Sequence, residues 1–267
     1  MEKVGLNLSQ WLLKRRNLIE NGMIVFIGPG HNGGDGAVVA RELFLKGYEV
    51  TICCPFPIKK KLTLQQLNYI TSIGVKKLDN FPDPLNNDLW IDSILGNNQD
   101  KGIDNQIIDM FHKKFDSGLG KIMSIDIPTG LCPNRGKVFS NSAIKSNFTF
   151  SIGLKKIGIL QDDAIPYVGK IINIDIGLSE NQFLKKTKNI LSVSGKDISQ
   201  ISLSLPSKNL SKYKRGRTLL IAGSNKYLGA AHLVMKGALA SGVGLVKVLV
   251  PKIIAKSLWQ VIPEVVV

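Results

Sequence analysis

The chain is poor in cysteine, histidine and acid. It has three cysteines in 267 residues, and two of them, Cys53 and Cys54, are adjacent. Adjacent cysteines rarely bridge, and no C-x-x-C spacing occurs. Neither a disulfide framework nor a thiolate zinc site is therefore expected, and a reducing, cytoplasmic setting is the default. The three histidines, His31, His112 and His232, are too dispersed for a metal cluster. His112 is expected on a helix surface. No Ser or Cys nucleophile is placed to use His31, so no catalytic triad is read. No apolar stretch reaches the ~18 residues of a membrane helix. Met1–Arg16 carries charges throughout and lacks the apolar core of a signal peptide. Acids number 20 against 35 lysines and arginines, a formal charge of +15. That excess raises a polyanion-binding reading. However, the basic residues fall in short groups scattered along the chain (Lys59–Lys61, Lys76–Lys77, Lys113–Lys114, Lys185–Lys186, Lys212–Arg217). Solvated faces account for them better than a nucleic-acid groove.

What is present suits a packed α/β protein. Hydrophobic residues make up 44% of the chain, enough for a core and against disorder. Short apolar runs read as buried strands: Met23–Gly28, Glu49–Cys53, Leu89–Leu95, Ile122–Ile127, Asn147–Ile152 and Ile171–Ile176. Helical periodicity separates several of them, at Asp35–Leu45, Leu62–Ile73 and Ile103–Phe115, and Ser9–Arg16 reads as the end of a short helix. Alternating strands and helices imply a parallel sheet with helices on both faces. Residues 180–211 turn polar and Ser/Lys/Asn-rich and are read as a linker. Thr218–Ala222, Gly229–Ser241 and Leu245–Val250 then form one βαβ unit. A unit of that size cannot cover a sheet on both faces, so an incomplete second α/β domain is expected. The division is 1–179, linker 180–211, and 212–267.

The chemistry concentrates in a few segments. Gly28–Gly36 reads GPGHNGGDG and contains G-x-G-x-x-G at Gly28, Gly30 and Gly33. After a strand and before a helix, such a loop lets the backbone approach a phosphate and aims helix N–H groups at it. A tight turn without ligand is the plain alternative. A redox dinucleotide site would add an acid at the end of the second strand, ~20 residues on. Ile52-Cys53-Cys54-Pro55 supplies none. No G-K-[S/T] occurs either, which removes a Walker-type loop. Asp92 and Asp126 lie near the C-terminal ends of strands, the edge where open parallel sheets bind ligands. Asp92 also reads as a strand-end cap. Asp126 sits in SIDIPTG, where Pro128 and Gly130 hold a sharp turn with Thr129. Asn32, Asp92 and Thr129 are hard oxygen donors, suited to an alkali or alkaline-earth ion.

These segments resemble a known family. GPGHNGGDGAVVAREL, DLWIDSILGNN, SIDIPTGL and GLKKIGIL follow the order and spacing of the NAD(P)H-hydrate epimerase domain, the YjeF N-terminal family, over about Gly22–Gly177. The resemblance implies a three-layer αβα Rossmann-like fold, usually as a homodimer. The implied reaction interconverts the R and S epimers of hydrated NADH and NADPH (NADHX, NADPHX). It assigns substrate contacts to His31, Asn32, Gly33, Gly34 and Asp35, to Gly96, Asn97, Asn98, Gln99, Asp100, Lys101 and Gly102, and to Asp126. It assigns a potassium ion to Asn32, Asp92 and Thr129. Asp126 becomes the acid/base, and Lys156 a neighbour of the pocket. Three features depart from the family pattern: His31 stands where Asn is usual, Gly96-Asn97-Asn98 replaces a G-T-G turn, and the helix before the first strand is short, with about one helix of the pattern absent before Met1. Tyr213–Val267 resembles the start of the ADP- or ATP-dependent NAD(P)H-hydrate dehydratase, a ribokinase-like domain. That domain's nucleotide loop and catalytic acid would fall beyond Val267, so no dehydratase activity is expected of this chain.

Two other functions compete. Relatives of this domain serve as silent protein- or RNA-binding scaffolds, which would suit the positive charge. A scaffold has no need of Asn32, Asp92, Asp126 and Thr129 together. A nicotinamide oxidoreductase is disfavoured by the missing ribose acid.

Overall fold

The computed structural model describes residues 1–140, 142–178, 193, 195–200 and 211–266. The chain divides into two compact units, Met1–Thr187 and Lys188–Val267. Among the described residues no helix is long and apolar enough to cross a membrane.

The first unit is built on seven parallel strands: β1 (Met23–Ile27), β2 (Val50–Cys53), β3 (Lys76–Lys77), β4 (Leu89–Ser93), β5 (Ile122–Ile125), β6 (Phe148–Ile152) and β7 (Lys170–Ile174). Their order is β3-β2-β1-β4-β5-β6-β7. Every residue of β1, β4 and β5 is buried, which explains why these strands are continuous apolar runs rather than alternating ones. Alternation instead divides them between two cores. Val25 and Ile27 face helices α1 (Glu2–Leu13), α2 (His31–Phe44) and α3 (Lys61–Ser72). Ile24 and Phe26 face α4 (Asn105–Ser117). The expected αβα layering is thus present. Short helix α5 (Ile165–Val168) precedes β7.

Side-chain chemistry sets the ends of these elements. The Asp104 carboxylate accepts from the Gln106 N–H at 2.9 Å and caps α4, which Gly118 ends at φ 70°. In α1, Val4, Leu8 and Leu12 form the buried stripe, and Gly5 lets the helix pack closely on Val38 of α2. The helix therefore starts at Glu2 and ends at Leu13, earlier than the sequence reading of Ser9–Arg16. α2 likewise starts at His31, so the loop proper is Gly28–Gly30 and the segment from His31 to Asp35 lies within the helix. The glycines there serve close packing: a Cβ on Gly33 would overlap the Gly28 carbonyl, and one on Gly36 would overlap Ser93 Oγ.

Two surface expectations also change. Lys114 is buried, not part of a solvated face. Its Nζ bonds the Asn86 carbonyl and Oδ1 and lies 5.3 Å from the Trp90 ring centre, and burial lowers its pKa to about 8. His112 is half-buried, and its Nε2 bonds the Ala143 carbonyl at 2.9 Å.

In the second unit, β8 (Arg217–Ile221) pairs in parallel with β9 (Leu245–Leu249). Helix α7 (Leu228–Ala240) joins them, and α8 (Lys252–Val261) follows. Ala231, Met235, Val246, Val248, Ile254 and Leu258 form its core. Leu219 and Ile221 on β8 are exposed. Within the segment read as a linker, Gly195–Gln200 is a short helix, α6. The remainder of 180–210, apart from Val193, lies outside the described residues.

Phe111 packs edge-on against Trp90 and tilted against Phe26, with ring centres 5.2 and 4.6 Å apart. Phe111→Ala should lower unfolding free energy by about 3–5 kcal/mol in urea denaturation. Leu45→Ala, at a mostly exposed site, should change it by less than about 0.5 kcal/mol.

Candidate active site

Strand order reverses between β1 and β4, and the crevice at their C-terminal ends is where such sheets take ligands. Three chain segments meet there, each leaving a different strand.

The first follows β1. A Cβ on Gly28 would overlap the backbone of Ile94, so only glycine permits this turn to touch the end of β4. Thr63 Oγ1 donates to the Gly30 carbonyl at 2.8 Å, and the Lys59 and Lys60 N–H groups donate to the Pro29 carbonyl. The turn's carbonyls are thereby tied back. Gly30 itself borders open space, and the first turn of α2 has no side-chain cap. Uncapped N–H groups at a helix start favour an anion. His31 is exposed at the entrance, whereas Asn32, Gly33, Gly34 and Asp35 are buried.

The second segment follows β4. Asp92 is fully buried. Its Oδ1 accepts from the Ile94 N–H (3.1 Å) and Thr129 Oγ1 (2.8 Å), and its Oδ2 from Ser124 Oγ (2.7 Å) and the Thr129 N–H (2.9 Å). All four donors are neutral. Among the described residues Asp92 has no ion-pair partner, and burial raises its pKa. The Leu95 N–H donates to Thr129 Oγ1 at 3.0 Å.

The third segment follows β5. Asp126 takes a left-handed backbone, φ 72°, uncommon for any residue but glycine, although Asp tolerates it better than most. Its N–H donates to the Phe150 carbonyl at 2.7 Å. Its carboxylate is held on both sides: Lys156 Nζ bonds Oδ1, and the Asn97 N–H donates to Oδ2 at 2.8 Å. Lys156 also donates to the Ile152 carbonyl at 3.0 Å. The GLKKIGIL segment thus delivers the lysine to the acid.

Asn32 links all three segments. Its Nδ2 donates to the carbonyls of Leu95 (2.9 Å) and Ile125 (3.2 Å). Its Oδ1 is buried and meets no donor among the described residues. A buried acceptor left open is uncommon, and a cation, a water or a ligand N–H would complete it. Among the described residues no three His, Cys, Asp or Glu side chains gather as metal ligands.

The Gly96–Gly102 segment divides. Gly96 lies against Asn32 and Asp126, and Asn97 reaches Asp126 through its backbone. Gln99 turns inward, and its amide is committed at both ends, donating to the Pro128 carbonyl (3.2 Å) and accepting from the Gly130 N–H (2.7 Å). It braces the turn rather than facing ligand. Asn98, Asp100 and Lys101 are exposed. Ser124 was not anticipated as part of the site. Its place at the head of SIDIPTG, on the strand that pairs with the one carrying Asp92, is the signal that would have shown it.

The profile of the family described as YjeF-related protein N-terminus matches residues 1–158. The chain belongs to this family. YjeF-related relatives include the bifunctional NAD(P)H-hydrate repair enzyme Nnr of Synechocystis sp., 36% identical over 271 residues, covering all of this chain and 51% of that protein. They also include the NAD(P)H-hydrate epimerase of Lentilactobacillus buchneri, 32% identical, covering 67% of this chain and 83% of the epimerase. The chain spans about half the length of the bifunctional relatives it matches. Among solved structures, that of yeast ynu0 superposes with a TM-score of 0.53 over 64% of this chain and 75% of that one. At 21% identity, that likeness speaks to the fold.

Within this YjeF-related site Asp35 also titrates above the ordinary carboxylate range. Burial raises its pKa to about 6, partly opposed by the Met1 amino group and reinforced by Asp126. A folded pKa above the unfolded one means that stability is lost as pH rises from about 4 to about 6. Asp35→Asn removes that loss. Its stability relative to the parent should therefore grow by up to about 3 kcal/mol between pH 4 and pH 7, read by denaturant unfolding. A constant difference across that range would contradict the assignment.

Proposed function

We propose that this chain interconverts the R and S epimers of NADHX and NADPHX, with Asp126 as the acid/base. The observation that carries the reading is the Asp126 carboxylate, fixed between Lys156 and the Asn97 N–H beside the uncapped start of α2. An anionic nucleotide seated at that helix start would bring its ring to the acid.

The chemistry needs little more. In the hydrated ring, C6 carries a hydroxyl and is bonded to the ring nitrogen. Proton transfer to the hydroxyl lets the C6–O bond break as the nitrogen lone pair forms a C=N bond, releasing water. Water then adds to the opposite face and gives up a proton, so atoms and charge balance over the cycle. Asp126 passes the first proton on from the paired Lys156 ammonium and takes the second, which returns to Lys156. Its carboxylate also stabilises the cationic ring between the two steps. Lys156 and Asn97 keep the carboxylate from rotating away, a positioning role.

The donor set fits a potassium ion. Asn32 offers the open oxygen Oδ1, and Asp92 offers a buried negative charge answered so far by neutral donors. Thr129 Oγ1 gives one hydrogen bond and accepts one, which leaves a lone pair. When bound, the ion would supply fixed positive charge that orients the loop and the substrate phosphate. A silent scaffold would have no use for an acid held by a lysine in a left-handed turn, and that pairing favours the enzyme.

Two outcomes follow. Asp126→Asn should cut conversion of R-NADHX to S-NADHX by about 100-fold or more while leaving the melting temperature nearly unchanged. Unchanged turnover would remove Asp126 from the role. Replacing potassium by choline at constant ionic strength should lower both rate and melting temperature, and Asn32→Leu should abolish the difference. Equal behaviour in the two salts would exclude the ion.

A further inference from the structure

Beside the Asp126 site the fold holds a second concavity, of about 660 Å³, whose two walls start at the site itself. One wall is the segment from Asn97 to Asp100, and it begins at the residue whose N–H bonds Asp126. The other is a hairpin that leaves Thr129: Leu131 and Val138 pair in antiparallel fashion, and the Cys132 N–H bonds the Lys137 carbonyl at 2.8 Å. Gly136 turns it at φ 71°.

Both walls are braced. Gln99 ties the first to Pro128 and Gly130. The second is fastened to the segment that carries Lys156, because the Gly158 N–H donates to the Pro133 carbonyl at 2.7 Å. A Cβ on Gly136 would overlap the Gly158 carbonyl, so the contact is close. The walls meet where Gly102 packs on Phe139 and Ser140. Geometry that positions the catalytic carboxylate therefore also sets the shape of this cleft.

The lining is mixed in a telling way. Val138 and Phe139 are half-buried, an apolar and aromatic surface for a planar ring. Exposed Asn97 and Asn98 add hydrogen-bonding groups. Exposed Arg135 and Lys137 on the hairpin outweigh the single acid, Asp100, across the cleft. A ring platform, amides and two cations match a nucleoside phosphate.

We infer that this cleft binds the adenosine half of the dinucleotide, with Arg135 and Lys137 on its adenosine-side phosphates and the nicotinamide-side phosphate left to the start of α2. The inference rests on the epimerase reading, because a substrate whose ring sits at Asp126 must extend its adenylate half into a neighbouring groove. Arg135 and Lys137 thereby become binding residues for affinity and for the choice between NADHX and NADPHX.

The test uses ADP-ribose and 2′-phospho-ADP-ribose as probes in titration calorimetry with the parent chain, Arg135→Ala and Lys137→Ala. Each variant should weaken binding of one or both probes about tenfold, and the loss should shrink at high salt. Loss confined to the 2′-phosphorylated probe assigns the cations to that phosphate, and equal loss of both assigns them to the pyrophosphate. Either supports the cleft. Unaltered binding in both variants, or no binding of either probe to the parent, overturns it. A parallel assay with R-NADPHX separates the two ideas. A roughly tenfold rise in KM in the variants is expected. Normal KM with active enzyme sinks the cleft and leaves the epimerase. Arginine-dependent probe binding without turnover sinks the epimerase and leaves the cleft.

Discussion

A carboxylate with no exposure to solvent, Asp92, holds the site together. Its four hydrogen bonds come from Ile94, Ser124 and, twice, Thr129, so it joins the chain leaving β4 to β5 and to the turn beyond it. Burying a charge among neutral donors is costly, and its raised pKa records that cost. The arrangement persists because the neighbouring strands of the parallel sheet put Asp92 opposite Ser124 in register. With Asp92 in place, Leu95 meets Thr129, Gly96 meets Asn32, and Asn97 meets Asp126. Those bonds, with Asn32 and Lys156, fix the acid against the backbone amide that receives it.

The same logic explains the glycines. Gly28 and Gly33 are close-packing residues that bring the first turn of α2 against the ends of β1 and β4. This packing sets Asn32 within reach of carbonyls 63 and 93 residues away in sequence. Its unfilled oxygen and the uncapped helix start then face a crevice already carrying Asp126. One end of the sheet thus concentrates a buried negative charge, an open acceptor, an anion-attracting helix terminus and a lysine-paired acid. The members would complement the proposed substrate, which has both phosphates and a ring able to become cationic.

Much of this was legible in the sequence because the central strands are uninterrupted apolar runs and the site residues follow them directly. MIVFI and LWIDS announce themselves. β3 does not, since Lys76–Lys77 is two exposed lysines at a sheet edge. At the start of α2 the glycines suggest a loop, whereas they permit a helix to lie against strands. Lys114 reads as a surface lysine because its partners, Asn86 and Trp90, come from a distant segment. Tertiary bonds of this kind, including Lys156 to Asp126 and Gln99 to Gly130, leave no periodic trace. The resemblance to the family pointed to the neighbourhood of Lys156, while its pairing required the fold.

In the proposed reaction Asp126 inverts C6 by removing and restoring water. Oxygen exchange tests it most directly. R-NADHX incubated with the chain in water enriched in oxygen-18 should yield S-NADHX carrying one labelled oxygen per inversion, formed faster than in the protein-free control. Inversion without label, or no inversion above the spontaneous rate, would contradict the account.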